Sequence, residues 1–314
     1  MKALQLLKAF KNSGKRVHMV GDTEAGVIIA LDMEGRLFVV LEGNVLNRTN
    51  LDAIKGENTR DQYLNPGGDG LWPAPEGTSM GYQYSTGTWR VPPGLRSARY
   101  IVSEVMNDGV SILAEVDLVN NQGLGVPTIF RRQVQIETGQ KEIIMKVHES
   151  ITYIGCIPLP RKECLLAPWS LCQFDSGEGC DVVFPCTDKA SVWDLYNEES
   201  DSVREWSEHH CRTLTDGTKR YQIAIGEKVP WIEFHNPKNG LKVRRTAGPL
   251  PQWQSYIDIR DVTPNVEPSK NGVRYSVYSD TSNFMEIEAV GGCPVTIMPN
   301  EEIKVQVATR YSVK

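Results

Sequence analysis

The feature that most restricts this chain is the near-continuous succession of short segments in which apolar and polar residues alternate. Side chains of a strand point to opposite faces in turn, so a period of two marks a sheet with one covered face. Thr128–Glu137 carries Phe130, Val134 and Ile136 on one phase, and Glu142–Ile154 carries Ile143, Met145, Val147 and Ile151 on one phase. Turn residues separate such segments. Asn107-Asp108-Gly109 lies between Tyr100–Val105 and Val110–Val119, and Asp-Gly is a strong hairpin signal. Val27–Leu31 and Arg36–Leu41 flank Asp32-Met33-Glu34-Gly35 in the same way. Arg220–Ile225, Trp231–His235, Leu241–Arg244, Ser255–Val262, Val273–Tyr278, Phe284–Val290 and Glu302–Val313 extend the series. So many strands exceed one flat sheet, and two packed antiparallel sheets are expected. Residues 3–13 read as a short amphipathic helix with Leu4, Leu7 and Phe10 on one side, closed by Gly14. Ala190–Glu208 is acidic and reads as a short helix or a loop. No low-complexity linker divides the 314 residues, so one domain over 1–314 is expected.

Composition narrows the function. The net charge is −5, with acids and bases interspersed. That disfavours nucleic acid, which needs a basic patch, and a polybasic membrane contact. No apolar run approaches the ~20 residues of a membrane span. Lys8 and Lys11 break up the N-terminal apolar run, which makes it a poor signal peptide, so a cytoplasmic location is expected. The seven cysteines are odd in number and show no C-x-x-C spacing, so reduced thiols and no metal are expected. Asn65, Asp69, Gly70 and Glu76 overlap four positions of a calcium loop, but Gly67 and Pro73 occupy ligand positions. No glycine-rich dinucleotide or nucleotide loop appears, and no cofactor is expected.

Three stretches stand apart from the alternating pattern. The first is Asn65–Gly77, with Gly67, Gly68, Gly70, Pro66, Pro73 and Pro75 around Trp72. Prolines lack an amide donor and are excluded from helix interiors and central strands, so a stiff loop presenting Asp69, Trp72 and Glu76 is expected. The second is Phe284–Val290, where Glu286 and Glu288 share one strand face roughly 6.5–7 Å apart. Such a pair in a dry cleft has one pKa raised and supplies a general acid or base. The third is Arg132, a charge in the apolar phase of its strand, which must be paired or line a cavity; a glutamate of the late strand or Glu76 is its expected partner. His148 and His235 are candidate acids, because imidazole titrates near neutrality. Trp72 and Trp169 offer flat apolar area with one polar handle, which suits a sugar ring as well as a core.

Gly67-Gly68-Asp69-Gly70-Leu71-Trp72-Pro73-Ala74-Pro75-Glu76 resembles the loop of uncharacterised bacterial proteins in the aldose 1-epimerase (galactose mutarotase)-like superfamily. Ala167-Pro168-Trp169-Ser170-Leu171-Cys172-Gln173 and Phe284-Met285-Glu286-Ile287-Glu288, followed by Pro294–Glu301, resemble their central and C-terminal segments. The resemblance runs from about Val17 to Val313. It implies an all-β, two-sheet antiparallel supersandwich with a small sugar or glycan on a concave sheet face. Mutarotases use a late glutamate as base and a mid-chain histidine as acid. Here these would be Glu286 or Glu288, and His148, with Trp72, Asp69, Glu76, Arg132, Trp169 and His235 as binding residues. The histidine context of true mutarotases and their early His-Pro segment are absent. A non-catalytic carbohydrate-binding protein is therefore the competing expectation. The particular sugar and the oligomeric state are left open.

Overall fold

The computed structural model describes residues 1–57, 63–82, 91–186, 188–196 and 199–314. Two ten-stranded antiparallel sheets dominate it. The first runs, edge to edge, Val17–Gly21, Ala25–Ala30, Arg36–Leu41, Asp69–Ala74, Ala167–Asp175, Phe284–Val290, Tyr275–Asp280, Tyr221–Ile225 and Val192–Asp194, with Asn44–Val45 appended to Arg36–Leu41. The second runs Arg204–Trp206, His210–Leu214, Asp181–Pro185, Ile232–Asn236, Leu241–Ala247, Glu302–Val313, Glu142–Tyr153, Gly125–Gly139, Gly109–Val119 and Ile101–Met106. Long strands build one half of the second sheet, where Gly109–Val119, Gly125–Gly139, Glu142–Tyr153 and Glu302–Val313 keep their alternation over more than ten residues. Gly125–Gly139 pairs with Glu142–Tyr153 across a turn in which Lys141 takes a positive φ.

The main core lies between the sheets and is made of the apolar phases of both. A second core covers part of the first sheet's outer face. There Leu6 and Phe10 of the helix Ala3–Asn12 pack on Ile28, Phe38 and Val40. The buried helix face is Ala3, Leu6 and Phe10; Leu4 is exposed and Leu7 only partly buried, so the apolar stripe is rotated from the expected one. The rest of that outer face, toward Tyr221–Ile225, is not covered by the helix.

The 65–77 stretch departs from expectation. Asp69–Ala74 is an interior strand of the first sheet, not a loop. Two circumstances make its proline tolerable. Pro73 faces Pro168 across the ladder, and two facing prolines fit a non-hydrogen-bonded pair, where no amide is exchanged. On its other side the strand pairs only through Leu37 with Asp69, so Pro73 has no partner there to lose. Gly67 and Gly68 precede the strand with φ of 86° and 76°; a Cβ on Gly67 would stand 2.1 Å from the Arg48 carbonyl oxygen.

Ser255–Val262 also departs. Only Gln254–Ser255 is strand. The carbonyls of Arg260 and Val262 instead accept from the amides of Gly77 and Thr78. The acidic stretch holds two 3-10 turns, Lys189–Ser191 and Asp201–Val203, with short strands after each; residues 197–198 within it lie outside the described residues.

Candidate functional site

Strand parity organises the uncovered part of the first sheet's outer face. Trp72, Trp169, Leu171, Gln173, Glu286, Glu288, Tyr278 and Gln222 all point to it. Their neighbours Leu71, Cys172, Met285, Ile287, Val277 and Ile223 enter the main core, and Ser170 meets Arg245 between the sheets. The register aligns Gln173, Glu286, Tyr278 and Gln222 in one row across four strands. Glu286, Tyr278 and Gln222 of this row, with Trp72, Trp169, Leu171 and Glu288, floor a pocket of about 720 Å³, inside the range of about 300–1,000 Å³ typical of small-molecule sites. Glu76, Tyr196, Asp261 and Val262 help to wall it. The clipping of residues 77–79 onto 260–266 by three backbone hydrogen bonds of 2.8–3.0 Å holds Glu76 beside Asp261 and Val262.

Glu286 and Glu288 lie on the floor, 6% and 1% exposed. Burial raises the pKa of both, and Glu288 raises Glu286 further, placing it well above the usual carboxylate range. The donors are distributed unequally. Glu288 accepts from Trp169 Nε1 at 3.2 Å and from Gln222 Nε2 at 3.2 and 3.4 Å, whereas Glu286 accepts from Gln173 Nε2. Hydrogen bonds to a carboxylate favour its charged form. Burial thus biases both carboxyls toward the protonated form, Glu286 more strongly than Glu288, whose donors oppose the shift. The two tryptophans meet edge to face with centroids 6.4 Å apart. Trp72 Nε1 donates to Glu34, which also holds the buried guanidinium of Arg36 at 2.9 Å. That guanidinium lies over Gly70, where a Cβ would come within 2.7 Å of it.

Of the residues marked in the sequence, Trp72, Glu76, Trp169, Glu286 and Glu288 line this pocket. Asp69, Arg132, His148 and His235 do not. Asp69 has the opposite parity to Trp72 and enters the space between the sheets. There it accepts from Arg132 and, at 2.6 Å, from Arg245. Arg132 is paired and fully buried as its phase requires, but its partners are Asp69 and Glu149 rather than Glu76 or a late-strand glutamate. The hairpin turns on Gln140-Lys141 with Gly139 opposite Glu142, and this register puts Arg132 opposite Glu149; a turn at 138–141 would have put it opposite Val147. His148 has the other parity and stands exposed on the outer face of the second sheet. His235 sits between Asp181 at 2.9 Å and Glu233 at 2.7 Å, also on the second sheet. None of the five histidines lines the pocket. Gln222, Tyr196, Tyr278, Arg220 and Asp261 line it but carried no mark in the sequence. For Gln222 and Tyr278 parity within their strands was the available signal; for Asp261, whose segment is not a strand, there was none. Among the described residues no group of three or more His, Cys, Asp or Glu side chains is placed to hold a metal ion. None of the described helices is long and apolar enough to cross a membrane.

No protein-family model matches the sequence, and neither does any curated protein. Solved structures do match in shape. The Slr1438 protein from Synechocystis sp. PCC 6803 is 11% identical, with 95% of this chain and 96% of that one covered and a TM-score of 0.59. A galactose mutarotase-like protein from Lactobacillus casei ATCC 334 is also 11% identical, over 95% and 100%, with a TM-score of 0.56. The chain has the galactose mutarotase-like fold. A galactose mutarotase related enzyme from Lactobacillus acidophilus, 11% identical over 95% and 100% with a TM-score of 0.52, has similar architecture. Identities this low establish the galactose mutarotase-like fold, which agrees with the sequence resemblance, and leave the chemistry to the pocket's own residues.

Proposed function

We propose that the pocket binds a free aldose and that Glu286 and Glu288 together interconvert its anomers. The observation that carries this reading is the buried carboxyl pair on the pocket floor, with hydrogen-bond donors gathered on Glu288 rather than Glu286. The hydroxyl oxygen on the anomeric carbon and the ring oxygen are bonded to the same carbon, so two adjacent carboxyl groups can serve both. Glu288 takes the proton of the anomeric hydroxyl while the C1–O1 double bond forms. The bond from C1 to the ring oxygen breaks, and Glu286 gives its proton to that oxygen. Rotation about C1–C2 presents the other carbonyl face, and ring closure returns both protons along the same routes. The pair ends as it began, with one proton between two carboxyls. No histidine is needed, which accommodates a pocket lined by none.

The test is polarimetry or NMR of freshly dissolved α-aldoses. Glu286→Gln and Glu288→Gln each keep the shape and remove one proton carrier. Each is expected to slow interconversion by on the order of 10²-fold or more, with sugar affinity retained. The rate should fall at low pH, where both carboxyls are protonated, and at high pH, where both are ionised. The competing reading is a carbohydrate-binding protein without turnover, favoured by the lack of a pocket histidine. It wins if the wild-type protein binds aldoses and accelerates the interconversion of none.

A further inference from the structure

Charge is unevenly distributed around the pocket. Among the described residues its lining carries five carboxyl groups, Glu76, Asp261, Asp280, Glu286 and Glu288, against two guanidiniums, Arg48 and Arg220, and no lysine or histidine. Both guanidiniums are already engaged. Arg48 pairs with Asp175 at 2.9 Å and stands over the Phe284 ring. Arg220 lies 3.8 Å from Asp280, donates to the Tyr278 hydroxyl at 3.2 Å and stands over the Tyr196 ring. On the wall, Glu76 and Asp261 come from two segments clipped together: Gly77 N donates to Arg260 O and Thr78 N to Val262 O, each at 3.0 Å. Burial raises the Tyr196 pKa and both carboxyls raise it further, so the two stand near that phenol. Burial also raises the Asp261 pKa, and Arg220 offsets it only in part. The lining leaves two buried polar atoms without a hydrogen-bond partner among the described residues, Asp261 Oδ1 and Gln222 Oε1. Both are acceptors, and a buried acceptor left without a donor is costly. The pocket is thus short of donors and of positive charge.

From this we infer that the pocket takes an aldose carrying a protonated amine, an amino sugar, with its ammonium held at the wall of Glu76 and Asp261. The inference deepens the aldose reading and rests on it. A neutral aldose brings hydroxyls, which donate but carry no charge. An ammonium brings three donors, no acceptor and a unit positive charge. It supplies Asp261 with both things the protein withholds, and a hydrogen bond between ionised groups is about twice as strong as one between neutral groups. A sugar acid or a sugar phosphate is the opposite case. Its anion would meet five carboxyls, and the two arginines that could answer it are held by Asp175 and Asp280.

The experiment is calorimetry, at low and at physiological salt, with glucose, galactose, their 2-amino and 6-amino analogues, N-acetylglucosamine as the uncharged amide and glucose 6-phosphate as the anion. One amino analogue at least should bind roughly 10-fold tighter than its parent sugar, the margin of a charge-assisted over a neutral hydrogen bond. The amide and the phosphate should lack that margin, and salt should narrow it. Asp261→Asn keeps the shape of the wall and should bring the ratio of amino to parent sugar close to one. Glu76→Gln is the second variant, and melting temperature checks the fold of both. Parent sugars that bind as tightly as every amino analogue overturn the inference, as does a preference for glucose 6-phosphate. A ratio unchanged in both variants overturns it too, since the charge that selects the amine is then not on this wall. Anomer exchange by NMR on the same samples separates the two readings. A preference for amino sugars without exchange keeps the inference and defeats only the catalytic reading; exchange of the parent sugars without that preference does the reverse.

Discussion

The quartet between the sheets makes the sharpest energetic prediction. Arg132, Arg245, Asp69 and Glu149 are each at most 1% exposed. Asp69 is the member that both guanidiniums share, through Oδ1 to Arg132 and through Oδ2 to Arg245 at 2.6 Å. Arg132 has other acceptors: Glu149 Oε1 at 2.9 Å from Nε, and the carbonyls of Gly35 and Asp69 at 2.9 and 2.8 Å. Among the described residues Arg245 has only the hydroxyls of Ser170 and, at 3.5 Å, Thr309 besides Asp69. Burial alone would raise the Asp69 pKa; Arg245 and then Arg132 outweigh it and hold it below the usual value. Glu149 goes the other way. Burial pushes its carboxyl up against the pull of Arg132, and its Oε2 has no partner. Asp69→Asn therefore leaves Arg245 without a counter-charge and turns an amide donor toward a guanidinium. Breaking a buried pair on one side costs about 3–5 kcal/mol, a large part of a total stability of about 5–15 kcal/mol. Thermal unfolding at neutral pH should show a fall in Tm of roughly 5–15 °C. Glu149→Gln should cost clearly less, because its charge is already disfavoured. With Asp69 lowered in the folded state, its contribution is present above the unfolded pKa of about 3.9 and is lost as pH falls through the folded value. Asp69→Asn should therefore flatten the acid limb of the stability curve. A loss below about 1 kcal/mol, or a larger loss for Glu149→Gln, would refute the reasoning, since native charge pairs that matter cost more than that when broken.

Three further outcomes are expected. Gly70→Ala puts a Cβ within 2.7–2.9 Å of the buried Arg36 guanidinium and should destabilise by about 1–3 kcal/mol while weakening sugar binding next to Trp72, measured by denaturation and calorimetry; a neutral result would mean that Arg36 has room to move. The hydrogen bonds of Asp181 and then Glu233 raise the His235 pKa from 6.5 to about 9, so its stabilisation is complete below about 6.5 and lost as pH rises through about 9; an NMR titration should find the ring still charged at pH 8, and His235→Gln should remove that alkaline slope without altering anomer exchange. Cys156 is the exposed thiol and the other six are buried, so a thiol reagent should modify Cys156 quickly in the native protein and all seven after unfolding without reductant; three or fewer would contradict reduced thiols.

The sequence by itself determined the long alternating strands and the sharing of one face by Glu286 and Glu288, because side-chain alternation is a local property; strands without clean alternation, such as Ala167–Asp175 and Asp181–Pro185, escaped it. Phe284–Val290 and Glu302–Val313 have the bounds that alternation assigns them. It also determined that Arg132 needs a buried partner, but not which one: the hairpin register, set by a turn two residues shorter than the expected one, supplied Glu149. What alternation cannot tell is which sheet a strand joins and which of its two faces meets the other sheet, since both depend on contacts far apart along the chain. That is why His148, on a well-read strand, stands on the far side of the molecule from the glutamates. It is also why Asp69 and Trp72, three residues apart, serve the interior and the pocket respectively. Pro73 made Asp69–Ala74 look like a loop, because proline is costly in an ordinary ladder. Only the tertiary pairing supplied a facing proline and a neighbouring strand that stops short, and with them the strand that carries Trp72 to the pocket.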